Sequence, residues 1–247
     1  MQNILSNFEN DLNVAIIGVT GGIGRAFLDH LDAQDNVSKV FSFSRQQPEN
    51  ILPKETWAQM DITDEASVEA AISNMSDVKL DIVINSTGIL TVGDQSPERS
   101  LRDIDFSNFE KTFAVNAHGP AILMKHFLPL LNRDRKSVFA SLSARVGSIS
   151  DNQLGGWYSY RASKAALNML IKTASIEVAR RNKTACVVGL HPGTVDTDLS
   201  APFKSNVPDD KLFTPEFSAH SLLSAVNNLD HSHTGKCVDW QGEFIEP

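Results

Sequence analysis

The chain alternates short, continuously apolar runs with longer amphipathic ones. Val14–Ile17 is a compact apolar run, followed by glycines and then by helical spacing over Ile23–Leu31. Val40–Phe43 reads as a second strand, Trp57–Met60 as a third and Leu80–Ile84 as a buried fourth. Strand-like runs recur at Val138–Leu142, Ala185–Leu190 and Val238–Trp240, and helical spacing at about 106–131, 158–180 and 215–227. Thr63 is expected to cap a further helix, with Asp64 and Glu65 in the first turn, where the helix dipole favours acids. Strands that are apolar throughout are buried on both faces. Their alternation with helices predicts an α/β fold: one doubly wound domain over 1–247, its parallel sheet of about seven strands covered by helices on both faces. No repeat, low-complexity tract or linker divides the chain. The least regular stretch, 193–213, is rich in Pro, Asp and Ser. A structureless segment of that length in a compact domain is usually functional, and it is expected to be a substrate lid.

Chemistry enters at the first turn. The run Gly18-Val19-Thr20-Gly21-Gly22-Ile23-Gly24 joins the first strand to the first helix. Glycines there permit a tight turn and a close backbone approach to pyrophosphate, and the helix N-terminus offers free N–H groups to the anion. Gly18, Gly22, Ile23 and Gly24 are therefore expected to bind a dinucleotide, and the fold to be of the Rossmann type. Such folds favour NAD with an acid at the end of the second strand. Here that strand ends Phe43-Ser44-Arg45, without a carboxylate. An Arg fork pairs with a 2′-phosphate where an acid would repel it, so Ser44 and Arg45 predict NADP(H).

Two helices carry candidate catalytic groups. Tyr160 and Lys164 lie four apart on the stripe Tyr160, Lys164, Leu167, Ile171, Ala174, Val178, the apolar side of its helix. A buried ammonium beside a phenol makes Tyr160 a usable acid or base. The helix over 106–131 has the predicted buried stripe Phe106, Phe109, Phe113, Asn116, Pro120, Met124, Phe127, Leu131. Asn116 is its one amide and must find polar partners. Pro120 cannot donate to the carbonyl of Asn116, so a kink is expected there, freeing that carbonyl for a water.

Composition narrows the class. The 247 residues carry a net charge of −8, which argues against nucleic acid as a partner. Two cysteines, Cys186 and Cys237, form neither a zinc pattern nor a disulfide framework. His231 and His233 lack further ligands, so no metal is expected. The N-terminus lacks a signal-peptide pattern, and no run is long and apolar enough to span a membrane, so the expected location is cytoplasmic.

The glycine spacing, Tyr-x-x-x-Lys and the segment His191-Pro192-Gly193-Thr194-Val195-Asp196-Thr197 together resemble the short-chain dehydrogenase/reductase family. The segments Ser143–Ile149 and Gly155–Arg161 look like its C-factor-like branch, which includes intercellular-signal proteins and carbonyl reductases. The resemblance implies that Asp61, with Ile62 beside it, binds adenine, that Asn85 to Gly88 lines the cofactor, and that Pro192, Gly193, Val195 and Thr197 hold the nicotinamide end. Ile17 stands where the family usually has Thr, and Asn85-Ser86-Thr87-Gly88 where it usually has Asn-Asn-Ala-Gly. The resemblance also implies that Asn116 holds a water beside Lys164, and that a serine near the end of the preceding strand polarises the substrate carbonyl. Alignment on Gly147 puts Ala144 at that place; alignment on the strand puts Ser143 there. Ser143 is favoured, because the chemistry needs a hydroxyl. The expected activity is hydride transfer between NADP(H) and a small carbonyl or alcohol, by a homodimer or homotetramer as in the family. The alternative is a nucleotide-binding signalling or regulatory protein with little turnover. Trp157, Phe203 and Phe213 are candidates for an apolar substrate pocket.

Overall fold

A computed structural model describes residues 3–93, 96–201, 208 and 211–247. Strand β1 (Leu12–Ile17) leads through the glycine turn into α1 (Gly22–Asp32); β2 (Val37–Ser44) and β3 (Glu55–Gln59) follow, then α2 (Glu65–Ile72). Next come β4 (Ile82–Asn85), α3 (Phe106–Phe113), α4 (Gly119–Phe127) and β5 (Ser137–Leu142). The second half holds α5 (Tyr158–Val178), β6 (Ala185–His191), β7 (Thr194–Val195), β8 (Leu212–Phe213), α6 (Pro215–Asn228), β9 (Cys237–Asp239) and β10 (Phe244–Ile245).

The main sheet runs β10-β9-β6-β5-β4-β1-β2-β3. It has eight strands where about seven were expected. The extra one is β10, a two-residue antiparallel addition to β9. The remaining pairings are parallel. A separate parallel pair, β7 with β8, lies within the segment read as a lid. Helix α2 is capped by Asp64, whose side chain accepts from Ala66 N, and not by Thr63, which turns its hydroxyl onto Asp61.

Strand alternation builds two cores from one sheet. Ala15, Val83, Phe139 and Val187 stand in register across four strands and pack with Val68, Phe127, Leu167 and Ile171. Ile16, Ile84, Ala140 and Val188 face the other way, against Phe27 and Leu31 of α1 and Leu222 and Val226 of α6. Sheet order reverses between β1 and β4, and in doubly wound folds the crevice opens at the strand ends beside such a reversal. Below it, Asp81 ties the sheet's far end: its buried carboxylate accepts from Asn13 N, Asn132 Nδ2 and Nε and Nη2 of Arg135.

The helix expected over 106–131 is broken. Residues 114–118 form a π turn, in which Gly119 N–H reaches Ala114 O, five residues back. The break therefore comes before Pro120, which sits in the first turn of α4. An inserted residue turns a helix by about 100°. The predicted stripe holds from Asn116 onward, where Pro120, Met124, Phe127 and Leu131 are buried, and fails before it. Thr112 is buried in α3, Phe109 and Phe113 are half-buried, and Phe106 is 77% exposed.

Candidate active site

The ends of β1, β4, β5 and β6 open into a cleft of about 570 Å³. Its floor at one end is the glycine turn. Gly18 has φ +94°, a conformation that disfavours side chains. A Cβ on Gly24 would overlap Gly18 O and lie 2.6 Å from Ser86 Oγ, so the first turn of α1 presses directly on the loop. The helix starts at Gly22, and its N-cap, Gly21, has no side chain to satisfy the first N–H groups. Those donors remain for an anion. Gly22, Ile23, Gly24 and Arg45 line the cleft as expected, and so do Gly88, Pro192, Gly193, Val195 and Thr197. This cradle, with a guanidinium and no carboxylate at the end of β2, fits a phosphorylated dinucleotide.

Several expected cofactor residues also have bonds or packing within the protein. Ser44 accepts from Trp57 Nε1 and donates to Gln46 O at 2.6 Å, so its hydroxyl is spent holding the turn after β2. Asn85 is fully buried; its amide donates to Ser141 Oγ, and its oxygen accepts from Thr87 N and Oγ1. It staples β4 to β5. Ile62 packs in the core and blocks any Cβ at Gly119. Asp61 lies outside the cleft lining, and its Oδ1 accepts from Thr63 N and Oγ1. Burial raises the Asp61 carboxyl, but those bonds and Arg45 outweigh it and hold the pKa below the ordinary value.

Tyr160 and Lys164 both reach the cleft, on the face of α5 that the spacing selected. Both are buried. Burial alone pushes the phenol of Tyr160 up to about 12, and burial pushes the ammonium of Lys164 down to about 8. Lys164 Nζ donates to Leu142 O at 2.9 Å and stands 5.7 Å from the centre of the Tyr160 ring. Asn116 is fully buried and its amide is satisfied: Oδ1 accepts from Ile89 N, and Nδ2 donates to Ile89 O and Ser163 Oγ. It lies beside Gly88, across which Lys164 Nζ also lies.

Ser143 and Ala144, the two alternatives at the strand end, have different surroundings. It lines the cleft, but its hydroxyl donates to Asn168 Oδ1 at 2.6 Å and reaches the Cys237 thiol. A hydroxyl has one proton to donate, and this one is used inside the wall. The residue that shares a buried cluster with Tyr160 and Leu90 is Ala144, with Val146 and Trp157 packed against it. Strand β5 ends at Leu142 and the chain turns directly after it.

Sequence reasoning missed Glu98, which sits in an irregular segment with no period to expose it. It is 3% exposed; its carbonyl accepts from Trp157 N and its carboxylate from Ser159 N, at the start of α5. Trp157 takes a left-handed conformation there, φ 53°. Glu98 thereby fixes where the helix carrying Tyr160 begins. Trp157 lines the cleft, whereas Phe213 packs edge-on against Trp240 outside its lining. Phe203 lies outside the described residues, as does part of the segment 193–213. His191, at the cleft end of β6, keeps Nδ1 buried without a hydrogen-bond partner among the described residues. Burial, with Arg145 adding, pushes its imidazole down to about 4. Among the described residues, no helix is long and apolar enough to cross a membrane.

The chain is similar to known proteins along most of its length. The family described as short chain dehydrogenase matches residues 12–208. C-signal of Myxococcus xanthus is 33% identical over 178 residues, covering 72% of this chain and 99% of that protein. A 1-hydroxy-2-glutathionyl-2-methyl-3-butene dehydrogenase from Rhodococcus sp. (strain AD45) is 32% identical over 76% of this chain and 78% of its own. Among solved structures, an NADPH-bound carbonyl reductase from chicken fatty liver superposes with a TM-score of 0.84 at 25% identity, covering 97% and 96% of the two chains.

Proposed function

Because the chain belongs to the short-chain dehydrogenase family, we propose that it is an NADP(H)-dependent oxidoreductase that interconverts a small carbonyl compound and its alcohol, with Tyr160 as general acid and base. The observation that carries this reading is the phenol–ammonium pair Tyr160 and Lys164, opening into the same cleft as the glycine turn.

In this reading the backbone from Gly21 to Gly24 receives the pyrophosphate at the start of α1, and Arg45 pairs with the 2′-phosphate. Asp61 offers adenine the oxygen that Thr63 leaves unused, and the Val195 backbone and Thr197 hold the nicotinamide end. The bound dihydronicotinamide supplies hydride. Tyr160 gives the carbonyl oxygen its proton. A phenol with a pKa near 12 stays protonated at neutral pH, as an acid must. Lys164, with a pKa near 8, retains its charge at neutral pH and stabilises the phenolate left behind. Its proton is close enough to neutrality to be exchanged, and the carbonyl of Asn116 holds a water that returns it to solvent. The similarity to C-signal supports the second reading, nucleotide binding with little turnover.

The test is loss of NADPH absorbance with a panel of small aldehydes and ketones. Turnover by the native protein, and its loss in Tyr160→Phe with NADPH binding retained, is the expected result. NADPH binding without turnover on any carbonyl leaves the second reading in its place.

A further inference from the structure

A carbonyl oxygen that becomes an alkoxide gains from every donor aimed at it, and one such donor is worth about a hundredfold to a thousandfold in turnover. The strand end beside Tyr160 offers none. Ser143 Oγ is bound to Asn168 at 2.6 Å, the short end of the hydroxyl range, and its other neighbours are Gly189 and Cys237. Drawing it into the cleft would strip Asn168 of its partner. The next residue, Ala144, belongs to the buried cluster of Tyr160 and Leu90 and contributes a methyl group. Three other cleft hydroxyls donate within their own loops: Ser86 to Ile17 O, Thr87 to Asn85 and Ser200 to Thr197 O. Around the phenol the wall is apolar, built from Leu90, Ala144, Val146 and Trp157.

We infer that the segment Ser143–Ala144 gives the substrate oxygen no donor, that Tyr160 acts unassisted from the strand end, and that the site is therefore suited to electron-poor carbonyls, such as vicinal dicarbonyls and quinones, carried on an apolar frame. This rests on the oxidoreductase reading above. The balance is one carbonyl, one hydride from the dihydronicotinamide to its carbon and one proton from Tyr160 to its oxygen, the C=O π pair ending on oxygen. An electron-poor carbon accepts hydride with less help at the oxygen, so intrinsic reactivity replaces the missing donor. A plain ketone has no such compensation.

The experiment compares the native protein with Ala144→Ser and Ser143→Ala. NADPH oxidation is followed with benzaldehydes of graded electron withdrawal, a plain aryl ketone, a vicinal diketone and a quinone. The native rate should climb steeply with electron withdrawal. Ala144→Ser should raise turnover on the plain ketone at least about tenfold and flatten that dependence. Ser143→Ala should cost less than about tenfold. A loss of about a hundredfold in Ser143→Ala, with no gain in Ala144→Ser, overturns the inference. A second readout needs no turnover. The chain has two tyrosines, so the ultraviolet titration of Tyr160 is resolvable. A serine at 144 that donates to the phenolate should move that titration to lower pH, and Ser143→Ala should leave it in place; the reverse pattern also overturns the inference. If none of the three proteins turns over any carbonyl while all bind NADPH, the oxidoreductase reading fails, and the titration still decides where the strand-end hydroxyl points.

Discussion

Gly24→Ala adds one methyl group at the tightest contact in the phosphate turn. The new carbon would overlap Gly18 O and stand 2.6 Å from Ser86 Oγ and 2.8 Å from Gly18 C. Two of these three atoms are Gly18 backbone, so the turn itself must yield. Gly18 O accepts from Gly21 N at 3.1 Å, while the Ser86 hydroxyl gives its proton to Ile17 O. Displacing Gly18 O loses one hydrogen bond, about 1 kcal/mol. Forcing a methyl into a packed contact costs about 1–3 kcal/mol more. The expected destabilisation is therefore about 2–4 kcal/mol, measured by urea unfolding, together with weakened NADPH binding by calorimetry. Gly21→Ala is the control. Its Cβ meets only Gly18 O, at 3.5 Å, and its φ of −81° suits any residue, so stability should change by less than about 0.5 kcal/mol. Equal unfolding midpoints for Gly24→Ala and the native protein, or equal losses in the two variants, would refute the reasoning.

Four further outcomes are expected. Arg45→Ala should weaken NADPH by about 1–3 kcal/mol and leave NADH nearly unchanged; equal losses for both would remove Arg45 from the 2′-phosphate. His191 has a folded pKa of about 4 against 6.5 unfolded, so the unfolded state binds the extra proton between these values and stability falls as pH drops from 6.5 to 4, by up to about 3 kcal/mol; His191→Gln should flatten that part of a pH–stability curve. Asp81→Asn should cost about 3–5 kcal/mol in urea unfolding, because it leaves Arg135 without its buried counter-charge. Sedimentation equilibrium should show a dimer or tetramer, and a monomer at micromolar concentration would remove the family-based expectation.

What the sequence disclosed follows from how locally each feature is encoded. The strands were visible because each is continuously apolar, as burial on two faces demands, and Tyr160 with Lys164 because a spacing of four is a single helical face. The glycine turn was visible because φ at Gly18 and the contact at Gly24 admit little else. The π turn was hidden, since one inserted residue alters phase without altering composition, and it misled the burial of Phe106. Ser44 and Asn85 stood in the right places, yet their polar atoms were claimed by Trp57, Gln46, Ser141 and Thr87, partners far apart in sequence or set by backbone direction. Ser143 and Ala144 differ by one residue at a strand end, where alternation gives way to a turn. Glu98 acts through contacts about sixty residues away.

The π turn at 114–118 makes chain length a steering control. Removing one residue there would leave an uninterrupted α-helix and rotate everything before it by about 100° relative to α4. Thr112 would swing off the interior, and an aromatic position now facing outward would turn towards it. Asn116 sits in the turn itself, held from outside the helix by Ile89 and Ser163. A single deletion in this segment would thus re-aim the outer half of the helix, the exposed Phe106 included.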